Sequence, residues 1–397
     1  MQLSSRARGI SPSPTLAVDA RAKELAAAGE RIINFGVGEP DFDTPEHIKA
    51  AAAEAMARGL TKYTPVTGTL QLRKAICDKF YTDNNLAYEP DEVVVSCGAK
   101  HSLYNAVQVL VEQGDEVIIP APYWVSYVEQ VKLAGGAPVV VETRRENDYK
   151  LTPEELSRSL TPRSRMLILN SPSNPTGCVY TREELETIAG VAVEAGIWVL
   201  SDEIYEKLVY DGAAHFSIAS FGPEIKRQTV VINGVSKSYA MTGWRIGYAA
   251  APAQVAKAMA DLQSHSTSNP TSIAQAAAVA ALSGPQEPVM EMLSAFAVRR
   301  KYILERLNAI PGINCRKPAG AFYAFPDVSA CFGRRYGDKS ITSAADLATL
   351  LLEEAKVAVV PGIAFGNDSC LRFSYATSLE SITEGMDRIA TVISNLR

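Results

Sequence analysis

The sequence predicts an α/β protein: a mostly parallel sheet flanked by helices, joined to a smaller α+β unit. Three observations carry this. Between residues 90 and 250 short apolar runs recur: EVVVS, DEVIIP, APVVVE, RMLILN, IWVLSD, TVVIN and IGYAAA. Most lack polar alternation, as strands buried on both faces of a parallel sheet do. Helical patterns separate several of them, and alternating strands and helices imply helices on both sides of one sheet. After about residue 282 the texture changes, because LSGPQEP breaks the pattern and a long helix with shorter strands follows.

The elements can be justified in order. The opening MQLSSRARGISPSP has two arginines, several serines and no apolar segment. It reads as a flexible arm, or at most a very short transit peptide, and not as a secretory signal. Ala99–Glu112 places Leu103, Val107, Leu110 and Val111 on one helical face. Thr181–Ala195 opens with Thr-Arg-Glu-Glu, a capping box. Val289–Ala309 reads as a long helix with one charged face, and GAFYAFPD, VAVVP and LRFSYA as strands.

Composition removes several function classes. The 397 residues are 47% hydrophobic and 21% charged, with a net charge of -5. An acidic chain disfavours a nucleic-acid partner, which needs a basic face. No apolar run approaches the ~18 residues of a membrane span. Cys77, Cys97, Cys178, Cys315, Cys331 and Cys370 are scattered without a C-x-x-C pair. They point to neither a zinc site nor a disulfide framework, no metal is expected, and a reducing cytoplasm fits.

Ligand sites in open α/β sheets lie beyond the carboxyl ends of the strands. After EVVVS comes CGAKHS, where Gly98 permits close backbone approach and a helix start can hold an anion. Lys100 in that first turn opposes the helix dipole, a cost that a bound anion would offset. After IWVLS come Asp202 and Tyr205; a carboxylate there is either a turn cap or the partner of a buried cation. After RMLIL comes NSPSNPTG, a stiff turn that can aim Asn174. After TVVIN comes GVSKSYAMTGWRIGY, with Lys237 among small residues and Arg245 eight positions on. Taken singly, each has a structural explanation. Together they supply an amine nucleophile, a carboxylate for a ring nitrogen, and an arginine, a serine and a helix start for a phosphate. Those are the groups that pyridoxal phosphate chemistry requires.

GVSKSYAMTGWRIG resembles the cofactor-attachment motif of the class I, fold type I, pyridoxal-phosphate-dependent aminotransferases. The resemblance runs from INFGVGEPDFDTP to LRFSYATS, with SPSNPTG, SDEIYE and GWRIGY in the family's order. It implies a large cofactor-binding domain over 46–282, a small domain from 15–45 and 283–397, and an arm over 1–14. By resemblance, Lys237 bonds the cofactor aldehyde and later acts as base, and Asp202 pairs with the pyridine nitrogen. Tyr205 and Asn174 meet the ring hydroxyl, and Trp124 stacks on the ring. Arg245, Ser236 and the backbone of Gly98, Ala99 and Lys100 hold the phosphate. Arg372 takes the substrate α-carboxylate, beside Gly38. Tyr63 reaches the phosphate of a second subunit, so a homodimer with shared sites is implied.

Some family members carry a serine at the position of Gly234, so one phosphate hydroxyl is expected to be missing. The family also implies cis bonds at Ala121–Pro122 and Asn174–Pro175. The expected reaction is transamination between aspartate or glutamate and 2-oxo acids. Lys100 would receive the distal carboxylate. Thr15 aligns with a threonine linked to prephenate use, and reads equally well as a helix cap. The alternatives are an aromatic or kynurenine aminotransferase, an aminocyclopropane carboxylate synthase or a C–S lyase of the same fold. A regulatory protein on that fold is a further one, but the chain leaves no room for an added DNA-binding domain.

Overall fold

All seven apolar runs form strands of one sheet. They are β1 (Val93–Ser96), β2 (Glu116–Ala121), β3 (Ala137–Glu142), β4 (Ser164–Asn170), β5 (Trp198–Asp202), β6 (Thr229–Gly234) and β7 (Gly247–Ala250). The structure is a computed structural model describing residues 2–397. The strands lie in the order β1-β7-β6-β5-β4-β2-β3. β2 to β6 pair in parallel, whereas β7 runs antiparallel to both β1 and β6.

One expectation fails at β3. The strand is at the sheet edge and only partly buried, with Val140 42% exposed. Val139 and Val141 pack on a core from one face, so this apolar run belongs to a half-covered edge. The expectation held for β1, β6 and β7, which are buried along their whole length.

Helices cover the sheet as the patterns predict, with shifted ends. We label α1 (Pro14–Ala27), α2 (Leu70–Asn84), α3 (Ala99–Leu110), α4 (Ser126–Leu133), α5 (Arg182–Ala195), α6 (Glu287–Asn308) and α7 (Leu379–Ser394). α3 stops before Glu112 because Val111 adopts extended backbone and the Glu112 N–H is taken by the Asp115 carboxylate at 2.8 Å. α6 starts earlier than read, because Pro288 fits the first helical turn, where its missing N–H costs nothing. α5 has the predicted capping box: Thr181 accepts from the Glu184 N–H, and Glu184 accepts from the Thr181 N–H. Residues 5–9 of the arm form a short, exposed helix.

A second, antiparallel sheet is built from β8 (Tyr323–Ala324), β9 (Val360–Pro361) and β10 (Leu371–Ser374), ordered β9-β10-β8. Ile33–Asn34 pairs in parallel with Val357–Ala358, tying the early chain to the late chain. Their shared core gathers Phe35, Phe296, Phe322, Phe373 and Ile389, between α6 and α7. The two expected cis bonds are present, with a third at Ser171–Pro172.

The sheet gathers the strand ends at one edge. Ser96 and Gly234 both pair with Gly247, and Asn170 pairs with Asp202. Because β7 is antiparallel, its start lies at the same edge as the carboxyl ends of β1, β4, β5 and β6. Gly98, Asn174, Asp202, Lys237 and Arg245 follow or precede those ends by a few residues, which brings distant stretches of chain together.

Candidate active site

A cavity of about 380 Å³ opens at this edge. It is lined by Thr15, Gly38, Ala99, Lys100, Trp124, Asn174, Asp202, Tyr205, Ser236, Lys237, Arg245 and Arg372. The sequence had named all twelve. Gly98 sits directly behind it, and Tyr63 lies elsewhere, against a different surface hollow.

Lys237 projects from the turn after β6. Its Nζ donates to the Gly38 carbonyl at 2.6 Å and stands 5.9 Å from the ring centres of Tyr205 and Phe322. Burial pushes its pKa down to about 8, against the pull of Glu39; Arg245 and Arg372 push the same way as burial. A lysine so placed has an appreciable neutral fraction near neutral pH, which a nucleophile or base needs.

Asp202 ends β5 and is 4% exposed. Burial raises its pKa from 3.8 to about 6, although Tyr127 and the Ile204 N–H pull it down. Tyr127 donates to Oδ2 at 2.7 Å, and Ile204 N–H donates to Oδ1 at 3.3 Å. A carboxylate that burial penalises this way gains most from a cationic partner on its cavity side.

Where the cavity meets α3, the groups present would suit an anion and form a cradle for it. The first intrahelical bonds are donated by His101 and Ser102 to Gly98, so the N–H groups of Ala99 and Lys100 precede them. Arg245, in left-handed backbone, is anchored by Nη1 on the Thr242 carbonyl at 2.7 Å. Two glycines make the approach feasible. A Cβ on Gly98 would sit 2.2 Å from Arg245 Nη2, and one on Gly247 would sit 2.0 Å from the Ala99 nitrogen. Gly234 is explained in the same way: its Cβ would be 3.0 Å from both Gly247 Cα and the Ile246 carbonyl. A side chain at this position would be in tight contact with the sheet backbone.

Arg372, also on the cavity wall, is 2% exposed. Nη1 donates to Asn174 Oδ1 at 3.0 Å and Nη2 to the Gly36 carbonyl at 2.6 Å, while Nε has no partner. Its guanidinium lies 4.7 Å from the Tyr323 ring centre and 5.0 Å from that of Phe365. A planar cation held this way suits a carboxylate. Lys100 Nζ stands 4.8 Å over the Trp124 ring, with its pKa lowered by burial and then by Arg245. Thr15 lies inside α1, where Ser13 is the N-cap residue, so the cap reading of Thr15 fails. Its hydroxyl is 3.0 Å from that of Ser13.

The family model described as "Aminotransferase class I and II" matches residues 30–389. The chain belongs to the class I and II aminotransferases. It is 56% identical to an aspartate aminotransferase of Geobacillus stearothermophilus, over 98% of each chain. It is 48% identical to an aspartate/prephenate aminotransferase of Nitrosomonas europaea, over 99% of this chain and all of that one. Its fold superposes on the aspartate aminotransferase of Rhizobium meliloti with a TM-score of 0.97 at 46% identity, with both chains fully covered.

Sequence reasoning missed several residues of this aminotransferase site. Tyr127 and Asn170 line the cavity, and Asn170 orients the turn by accepting from the Asn174 N–H at 2.8 Å. Tyr323 caps Tyr205 through a 2.9 Å hydroxyl pair, and a Cβ on Gly38 would meet its hydroxyl at 2.6 Å. Glu39 accepts from Thr242 at 2.7 Å. The strand-end position of Asn170 and the nearness of Tyr127 to Trp124 were the available signals. A buried cluster also lies behind Asp202, where Glu203 meets His215 at 3.1 Å and Glu206 pairs with Lys79. Burial alone would raise Glu206, but Lys79, His215 and Asn84 hold it near 2.

Proposed function

We propose that this aminotransferase moves an amino group between aspartate or glutamate and 2-oxo acids, using pyridoxal 5'-phosphate. The observation that carries the reading is the layout of one cavity. A lysine with a depressed pKa, a buried carboxylate, a helix start beside Arg245 that suits an anion, and a buried arginine all line it. The residues fit that cofactor: the cradle is kept open by Gly98 and Gly247, and Asp202 gains from a protonated ring nitrogen. When bound, the cofactor supplies an aldehyde for the amine and a ring that withdraws electrons from the reacting carbon.

The chain's own groups do the rest. Arg245, Ser236 and the α3 N–H groups hold the phosphate end. Trp124 would cover one face of the ring, and Tyr205 and Asn174 would border its hydroxyl side. Asp202 keeps the ring nitrogen protonated, since a neighbouring opposite charge favours the charged form. Arg372 would receive the substrate α-carboxylate and so help to orient the α C–H bond toward Lys237 Nζ. That nitrogen would take the α-proton and deliver it to the cofactor carbon that had been the aldehyde, a base role that a lysine of lowered pKa suits. Lys100 is the cation available for a distal carboxylate. The small unit of 15–45 and 283–397 packs Arg372 and Thr15 against the 46–282 unit that carries Lys237.

Prephenate is a second acceptor in this reading. Thr15 is on the cavity wall with its hydroxyl near Ser13. The free thiols of all six cysteines support a reducing, cytoplasmic setting. Among the described residues no helix is long and apolar enough to cross a membrane.

The test is a panel of donors against oxaloacetate, 2-oxoglutarate and prephenate, with cystathionine and S-adenosylmethionine as controls. Aspartate and glutamate should lead. Preferential turnover of either control would replace this reading with a lyase or synthase.

A further inference from the structure

We propose that Tyr127 is a positioning residue for the reaction, whose hydroxyl holds Asp202 ionised and aimed at the ring nitrogen of the bound cofactor. This rests on the transaminase reading and adds to it a residue that the sequence patterns did not single out.

The geometry comes from two elements distant in sequence. Asp202 ends β5, while Tyr127 stands in the first turn of α4. Tyr127 is 2% exposed and packs in the apolar cluster that includes Val131, Ile119 and Ile168. For packing alone, phenylalanine would fill that space. The hydroxyl adds one interaction, the 2.7 Å bond to Asp202 Oδ2. Ile204 N–H occupies a lone pair on Oδ1 at 3.3 Å. Each carboxylate oxygen is thereby held by one donor, and both residues line the cavity.

The chemical consequence follows from where a proton resides. Burial drives Asp202 toward the neutral acid, and Glu203 nearby drives it the same way. A neutral Asp202 would have taken the proton that the ring nitrogen needs. Tyr127 opposes this by donating to the carboxylate, which lowers its proton affinity, and Lys237 acts in the same direction. Tyr127 remains a donor throughout, since burial, then Asp202 itself and then Tyr205, hold its own hydroxyl well above its ordinary pKa. The same ring meets Trp124 edge-on at 5.4 Å, so one residue fixes both the covering indole and the carboxylate.

The experiment is Tyr127→Phe, which keeps the ring and removes the hydroxyl, made in the wild-type and Asp202→Asn backgrounds. Pyridoxal 5'-phosphate is titrated into each cofactor-free protein by fluorescence quenching, and kcat and KM for aspartate are followed against pH. In the wild-type background Tyr127→Phe should raise the half-saturating cofactor concentration about tenfold, as loss of a hydrogen bond to a charged group does. It should lower kcat with little change in KM and move the acid limb of the profile to higher pH. In the Asp202→Asn background it should change cofactor retention little, because the carboxylate it serves is gone. Equal losses in both backgrounds would make Tyr127 a packing residue only and overturn the proposal. So would an unchanged half-saturation and pH profile in the wild-type background. Wild-type protein that fails to take up the cofactor would overturn the transaminase reading itself, which separates the two failures.

Discussion

Burial is the largest cause of the perturbation of both Lys237 and Asp202, and the shifts run in opposite senses along the pH axis. Lys237→Ala should lower turnover by about a thousandfold or more, since it removes both nucleophile and base. In wild-type protein, cofactor capture should speed up as pH rises to about 8 and then level off, because only the neutral amine reacts. Stopped-flow absorbance across pH 6 to 10 reads this directly, and a flat profile would contradict it. The sign for Asp202 is separate. Its folded pKa exceeds the unfolded one, so between 3.8 and about 6 the folded chain holds more protons and loses stability as pH rises. Cofactor-free Asp202→Asn should therefore gain on wild type between pH 4 and pH 7, by on the order of 2 kcal/mol in denaturant unfolding. Lys100→Ala should weaken dicarboxylic substrates about tenfold while sparing monocarboxylic ones. Equal losses in the two classes would make Lys100 structural.

At the scale of elements, the cradle depends on how closely α3 approaches β7. Gly247→Ala would place a methyl group against the Ala99 nitrogen. It should cost about 1–3 kcal/mol of stability and weaken phosphate binding together. Thermal unfolding of the apo and cofactor-loaded forms would show a larger drop in the loaded form. The seven strands were legible because apolar runs bounded by turn residues have few other fates. Direction was not legible: IGYAAA says nothing about running antiparallel, and the placing of Arg245 beside Gly98 follows from that reversal. Nor does APVVVE reveal that it is an edge, since only its neighbours decide which face is covered. Gly98, Lys100, Asn174, Asp202, Tyr205, Lys237 and Arg245 were legible through motifs at strand ends, whereas Gly38, Trp124, Arg372, Tyr63 and Thr15 were named only through the family resemblance. Tyr127 was not, because its partner is 75 positions away and only the packed sheet joins them. Gly234 looked like a missing ligand in the sequence, and the fold shows that position in tight contact with the sheet backbone.

For the whole molecule, one chain leaves Tyr63 90% exposed, with Met56 and Leu60 also exposed nearby. That surface fits the proposed dimer, in which Tyr63 completes the cradle of the other copy. Mixing inactive Lys237→Ala chains with impaired Tyr63→Ala chains should then restore about a quarter of wild-type activity, because half the pairs are mixed and each holds one intact site. No recovery after verified subunit exchange would place Tyr63 outside the site. The central claim is the covalent junction at Lys237, and borohydride reduction of cofactor-loaded protein followed by peptide mass spectrometry tests it most directly. A single pyridoxyl adduct on the peptide containing Lys237 is the predicted result. An adduct on another lysine, or none, would contradict the account.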